Sequence, residues 1–287
     1  MDIKIELLIL KQVGFSDKTL YKIYDCENVL LEIIYNKNHP FYNKYYDVYT
    51  DKEKELSRDF QSVLNLMDSF KNKMKEYKNK GIKILYRFSD NFPLYLFDKD
   101  KIPLFLYCYG NLNLLDESIK KVSIIGSRKP SLESEVKARQ YTKRYIKKGY
   151  VTISGLALGI DTIVHEETLN NKRETISILP SSFEKIYPKE NEQLFYNIIK
   201  NEGLILSTIG PFENSYKSSF LDRNTLIANI CDELLMVEAT MKSGSINTVR
   251  KASVNKKRIF YDSSLIKKDV IDYLDTIGAI DIFEKDC

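Results

Sequence analysis

The apolar positions along this chain change rhythm once. Up to about residue 80 they recur at helical spacing. Between Asp51 and Lys80, the residues Leu56, Phe60, Val63, Leu64, Met67, Phe70, Met74 and Tyr77 return every three or four positions, which puts them on one face of a single helix. Gly81 follows as the stop, because glycine accepts the left-handed backbone that ends helices. Three shorter apolar patches, Leu7 to Leu10, Leu20 to Tyr24 and Val29 to Ile34, predict two or three further short helices. Residues 1–80 are therefore expected to form a small helical domain.

After Gly81 short apolar runs alternate with amphipathic stretches. Ile82–Tyr86, Leu104–Tyr109, Val122–Ile125, Val151–Ile153, Thr175–Leu179, Leu204–Ser207, Leu234–Val237 and Arg258–Tyr261 read as strands, with helices between most of them. This alternation predicts an α/β fold over residues 81–287: a Rossmann-like, mostly parallel sheet with helices on both faces.

Composition narrows the class only a little. The 44 basic residues exceed the 40 acidic ones by too few to identify a nucleic-acid partner, so only clustered charge matters. Cys26, Cys108, Cys231 and Cys287 are scattered without a CxxC pair, so reduced cytosolic thiols are expected and no structural zinc. The N-terminal MDIKIELLILKQ holds too short an apolar run for a signal peptide or membrane span. A soluble cytoplasmic protein without metal or cofactor is the expectation.

Open parallel sheets bind ligands beyond the carboxyl ends of their strands, so the loops there carry the candidate chemistry. The first is Gly126-Ser127-Arg128-Lys129-Pro130-Ser131. Gly126 permits a tight turn, Ser131 can cap the next helix, and Arg128 can hold a phosphate with two hydrogen bonds. The second runs from Ser154 and Gly155 to Gly159 and Asp161, with His165 one turn further on. Asp161 and His165 share a helical face and either pair, orient a phosphate-binding loop or act as acid and base; a structural hydrogen bond is the simplest reading. The third carries Glu238, Lys242, Ser243 and Gly244, where amides and hydroxyls before a helix suit a phosphate and Glu238 would repel one unless paired. Between these loops, Lys189 stands beside Tyr187, and Arg223 with Asn224 beside Phe220, pairings of cation and aromatic that suit nucleic-acid backbone and base. The cations of the helix after the first loop are spread around its surface and read as solvated. No Walker A loop, GxGxxG fingerprint or Ser-His-Asp order is present. The residues alone thus indicate a polyanion- or nucleotide-binding α/β protein.

Taken in order, VSIIGSRKPS, TISGLALGIDTIVHEETL, YPKEN, FLDRNTLIA and LLMVEATMKSGSINTVRKA resemble the DprA/Smf family of DNA-processing proteins, over about Ile84 to Phe260. The resemblance implies a Rossmann-like core that binds single-stranded DNA, dimerises, protects incoming DNA and helps load the RecA recombinase in natural transformation. It implies no enzymatic role. It assigns Arg128 as the foremost DNA contact, then Lys189 and Arg223, with Ser127, Lys129, Ser154, Gly155, Asn224, Lys242, Ser243 and Gly244 around them and Gly126, Gly159, Asp161, His165 and Glu238 shaping the pocket. Residues 1–80 resemble the SAM-like domain of many members. The chain departs from the family pattern at Leu221-Asp222, where a proline is usual and where Asp222 adds negative charge, and at Tyr261-Asp262-Ser263, where Pro-Gly is usual. The 26 residues after Tyr261 are too few for the winged-helix domain of some members. The opposing expectation is a nucleotide-hydrolysing relative using Arg128 and Glu238, or a defence-associated nucleotide sensor using the same pocket. VEATMKSGS lacks the PGGxGTxxE motif of phosphoribohydrolases.

Overall fold

The computed structural model describes residues 2–24 and 29–283, so Cys26 and Cys287 lie outside the described residues. Two compact units divide the chain, one of residues 1–89 with 103–105, the other of 90–102 with 106–287.

The first unit holds helices α1 (Ile3–Val13), α2 (Asp17–Ile23), α3 (Leu30–Tyr35), α4 (Tyr42–Tyr46), α5 (Asp51–Leu56) and α6 (Phe60–Asn79), then strand β1 (Ile82–Tyr86). The single helix expected from Asp51 to Lys80 is two. Thr50 and Glu53 form a reciprocal capping box that starts α5, and the Asp59 side chain accepts from the Ser62 amide to start α6. Two start signals nine residues apart break the chain at residues 57–59, although the apolar spacing runs through. The buried stripe of α6 is accordingly narrower than the pattern suggests: Val63, Phe70 and Tyr77 are buried, while Phe60 and Leu64 are exposed. Gly81 does follow α6 with φ +76°.

Glu53 is the polar knot of this unit. It is 2% exposed, and its carboxylate accepts hydrogen bonds from the Ser16 amide (2.8 Å), the Thr50 amide (2.9 Å) and the hydroxyls of Thr19 (3.0 Å) and Thr50 (2.9 Å). Burial alone would push its pKa up, but these four donors outweigh it and hold the carboxyl below the usual range.

In the second unit the elements are β2 (Phe105–Gly110), β3 (Lys121–Ile125), α7 (Leu132–Lys147), β4 (Val151–Ser154), α8 (Ile160–Asn170), β5 (Thr175–Leu179), α9 (Glu192–Lys200), β6 (Leu204–Ser207), α10 (Lys217–Ile230), β7 (Glu233–Met236), α11 (Gly244–Val254), β8 (Arg258–Tyr261), α12 (Lys268–Thr276) and β9 (Ile280–Asp281). The strands lie in the order β2-β6-β5-β4-β3-β7-β8-β9. All neighbours in this run are parallel except β2 and β6, which are antiparallel. The eight strands read from the sequence are present within a residue or so at each end, and the two-residue β9 is an addition. Strand alternation decides which helices cover which face. Val122 and Ile124 of β3 pack with Ala138, Tyr141 and Tyr145 of α7 and Ile160, Ile163 and Val164 of α8. Ser123 points the other way and donates to the Ile227 carbonyl of α10 at 2.7 Å. Helices therefore cover both faces, as the α/β reading requires. The cations Arg139 and Lys143 of α7 sit 3.4–3.6 Å from Glu166 and Glu167 of α8, so part of that helix's positive charge is already paired.

A carboxyl whose pKa is lowered by folding stabilises the folded state above its unfolded pKa of about 4.3, and that contribution is lost as pH falls through the lowered value. Acidification from pH 6 to pH 3 is thus expected to lower the melting temperature of the helical unit. Glu53→Gln should flatten that pH dependence while costing about 1–3 kcal/mol at neutral pH. Circular dichroism melts of the full chain at several pH values check both.

Candidate nucleic-acid interface

The site begins with the position of β3 between β4 and β7. The connections after β3 and β7 part there, which makes this the switch point of the sheet, where a crevice opens beyond the carboxyl ends. Loops from residues more than a hundred positions apart meet around a cleft of about 520 Å³. Gly126, Ser127, Arg128 and Lys129 line it from the first loop, Asp161 from α8, Arg223 and Asn224 from α10, and Glu238, Ser243 and Gly244 from the third loop and the start of α11.

The first loop lies against the second. Gly159 has φ +79°, and a Cβ there would stand 2.4 Å from the Ser127 carbonyl oxygen and 2.7 Å from the Arg128 carbonyl carbon. The Ile160 amide donates to that Ser127 oxygen at 3.1 Å. Ser127 is otherwise engaged locally, its Oγ accepting from the Lys129 amide at 3.1 Å. Arg128 and Lys129 are left exposed at the cleft.

The second loop is held from beneath. Asp161 Oδ2 accepts from the amides of Gly155 (3.1 Å) and Ala157 (3.3 Å). Arg223, 6% exposed, donates from Nη1 to the Gly155 carbonyl at 2.6 Å and lies 4.0 Å from Asp161. Burial pushes Asp161 up and Arg223 down, and each offsets the other's shift by attraction. A Cβ at Gly155 would stand 1.6 Å from Arg223 Nη1, so the glycine makes room for the guanidinium and not for a ligand. The buried Nε of Arg223 has no hydrogen-bond partner among the described residues. Leu156, fully buried, adopts φ +61°, a left-handed conformation that costs a branched L-residue about 1–2 kcal/mol and that these hydrogen bonds hold in place.

Several candidates prove structural in their contacts. Ser154 is buried and donates to the Ile124 carbonyl at 2.8 Å. His165 pairs with Thr175 and not with Asp161: its Nδ1 is 2.9 Å from Thr175 Oγ1, it is fully buried, and burial pushes its pKa down to about 3. The hydroxyls of Ser243 and Ser245 are spent on the carbonyls of Thr240 and Gly126, both at 2.7 Å. That leaves α11 without a side-chain cap, its first amides at the cleft wall. Asn224 is 3.4 Å from the Gly244 carbonyl, joining α10 to the same corner. Glu238 is paired: its Oε2 accepts from the Ser131 amide at 2.9 Å and hydroxyl at 3.3 Å, so the protein supplies the anion at the start of α7 itself.

Lys189 and Lys242 are exposed and are not among the residues lining the cleft. Near Lys189, Tyr187 packs edge-on against Phe220, with centroids 5.8 Å apart, and remains half exposed. Asp222 lies 3.7 Å from Lys101, which offsets the negative charge noted in the sequence. Asn191 was not singled out from the sequence. It is buried, and its Nδ2 donates to the carbonyls of Leu156 (2.8 Å) and Ala157 (3.3 Å) and to Thr162 Oγ1 (2.8 Å). Its signal in the sequence is its place in YPKEN, two residues from the cation Lys189.

The chain matches a family model described as DNA recombination-mediator protein A over residues 83–272. DNA processing protein DprA of Streptococcus pneumoniae is 30% identical over 265 residues, spanning 89% of this chain and 85% of that protein. DprA of Bacillus subtilis is 31% identical over 184 residues, 64% of this chain and 61% of the relative. Among solved structures, DprA from S. pneumoniae aligns over 97% of this chain and 94% of its own, with TM-score 0.67 and 25% identity. DNA processing protein A from Helicobacter pylori, described for its single-stranded DNA binding mode, aligns over 70% of this chain and 91% of its own, with TM-score 0.62 and 32% identity.

The two arginines at the cleft should separate in a stability measurement. Arg223→Ala strands a buried carboxylate and is expected to cost about 3–5 kcal/mol. Arg128→Ala touches only an exposed side chain and should stay within about 0.5 kcal/mol of the parent. Urea denaturation of the two variants checks this.

Proposed function

Because the chain belongs to the DNA recombination-mediator protein A family, the DprA/Smf group of DNA-processing proteins, we propose that its cleft binds single-stranded DNA. The observation that carries this reading is the convergence of exposed Arg128 and Lys129 with the uncapped amides of α11 around one cleft. Cations on one wall and helix amides on another suit a phosphate held between them. The half-exposed Tyr187, beside Phe220 and next to Lys189, offers a ring face to an unstacked base, which a duplex would not present. The described binding of single-stranded DNA by the H. pylori relative supports the same reading.

The role is binding without catalysis. Glu238 is engaged by Ser131 and His165 is fully buried against Thr175, and both contacts support that reading. The wider role we propose is that of a cytoplasmic recombination mediator. It works as a homodimer, protects incoming single strands and passes them to RecA. Residues 81–287 form the binding core, and residues 1–80 serve as a SAM-like accessory domain. These parts rest on the family resemblance.

Fluorescence anisotropy with labelled oligo-dT across a salt series tests the proposal. The parent should bind with a log–log salt slope of about −0.7 for each phosphate neutralised. Arg128→Ala should weaken binding about tenfold or more, the size expected when a charge-assisted contact is lost. If the folded parent ignores the oligonucleotide and binds a mononucleotide instead, the DNA reading fails and a nucleotide-binding role replaces it.

A further inference from the structure

Resting on that DNA-binding reading, we infer that Asn191 is a positioning residue: it sets the backbone of Ser127 and Arg128 from the far side of the second loop, without touching the ligand. A chain of contacts links the two places. Asn191 ends the short turn of residues 189–191 and is 5% exposed. Its one amide nitrogen bridges the Leu156 and Ala157 carbonyls and the Thr162 hydroxyl. Thr162 Oγ1 in turn donates to the Ala157 carbonyl at 2.8 Å. The amides on the same stretch are taken by Asp161, and the Gly155 carbonyl by Arg223. Nearly every polar backbone atom of residues 155–157 is therefore held by a side chain, which is how a buried leucine is kept at φ +61°.

What this clamp holds in place is Gly159, two residues on. Gly159 touches the Ser127–Arg128 peptide so closely that even a methyl group would not fit, and the next amide donates to the Ser127 carbonyl. The second loop is thus the surface on which the Arg128 backbone rests. Loosening it leaves the guanidinium in the cleft and removes its fixed origin. Asn191 also ends the short turn that carries Lys189, so one side chain ties that turn to the loop on which the Arg128 backbone rests, though Lys189 and Arg128 stand 61 positions apart in sequence.

The test uses the full chain and labelled oligo-dT, with Asn191→Ala, Arg128→Ala and the double variant compared over a salt series. Positioning predicts that Asn191→Ala weakens binding about tenfold and makes the salt slope shallower by about 0.7, as if one phosphate contact were lost. It also predicts that the double variant binds no more weakly than Arg128→Ala to within about twofold, because both substitutions remove the same interaction. A purely structural Asn191 would lower the melting temperature, leave the slope unchanged and add its effect in full to that of Arg128→Ala; that result overturns the inference. Should Asn191→Ala fail to fold, Thr162→Val removes only the hydroxyl link and is read by the same slope and the same additivity. A parent that does not bind oligo-dT would instead defeat the DNA-binding reading, which separates the two failures.

Discussion

Everything at the cleft depends on β3 being paired in parallel on both sides. Val122 stands opposite Thr152 of β4 and Glu233 of β7, and Ile125 is level with Met236. Equal registers bring the three strands to their carboxyl ends at the same height. There the Val237 amide donates to the Ile125 carbonyl and the Ser154 hydroxyl to the Ile124 carbonyl, so the three departing loops start side by side. Shifting the β3–β7 register by one residue would invert which face the β7 side chains meet and would carry Arg128 and Glu238 out of one another's neighbourhood.

The cleft is electrostatically mixed, and this tempers what its cations can do. Two carboxylates, Asp161 and Glu238, line it with Arg128, Lys129 and Arg223. Both carboxylates are structurally committed, since Asp161 holds two amides and Glu238 occupies the start of α7. Arg223 is likewise committed to the Gly155 carbonyl. Among the described residues, the positive charge at the cleft that no internal contact consumes belongs chiefly to Arg128 and Lys129, both on one loop. That makes the geometry of that loop matter more than the chain's small net charge.

Much of this was legible in the sequence, and the reasons for the misses are specific. The strands of the second unit are short apolar runs bounded by turns, so their positions and the α/β class could be read directly. The family motifs marked the loops that meet around the cleft. Hidden were the features that need three dimensions. Apolar spacing concealed the break at residues 57–59, where the competing signal was a pair of helix caps. Arg223 looked like a free cation because its burial follows from Gly155 having no side chain, sixty-eight residues away. Asp161 and His165 share a helical face, yet one turns to the loop backbone and the other to Thr175, a choice that spacing alone does not make. Asn191 carries no charge and no motif-specific chemistry, and only its three hydrogen bonds reveal it.

The parallel pairing of β3 with β7 joins residues about 110 positions apart, as the bond from the Lys121 amide to Asp232 illustrates. During synthesis at roughly 5–20 residues per second, the arginine loop therefore waits several seconds before the opposite wall of the cleft is even made. Until then β3 presents an unpaired edge, and no segment shorter than most of the second unit can assemble the cleft. The cleft is thus an all-or-none product of finishing the sheet. A chain that stops short of β7 carries the same Gly-Ser-Arg motif without the opposite wall of the cleft.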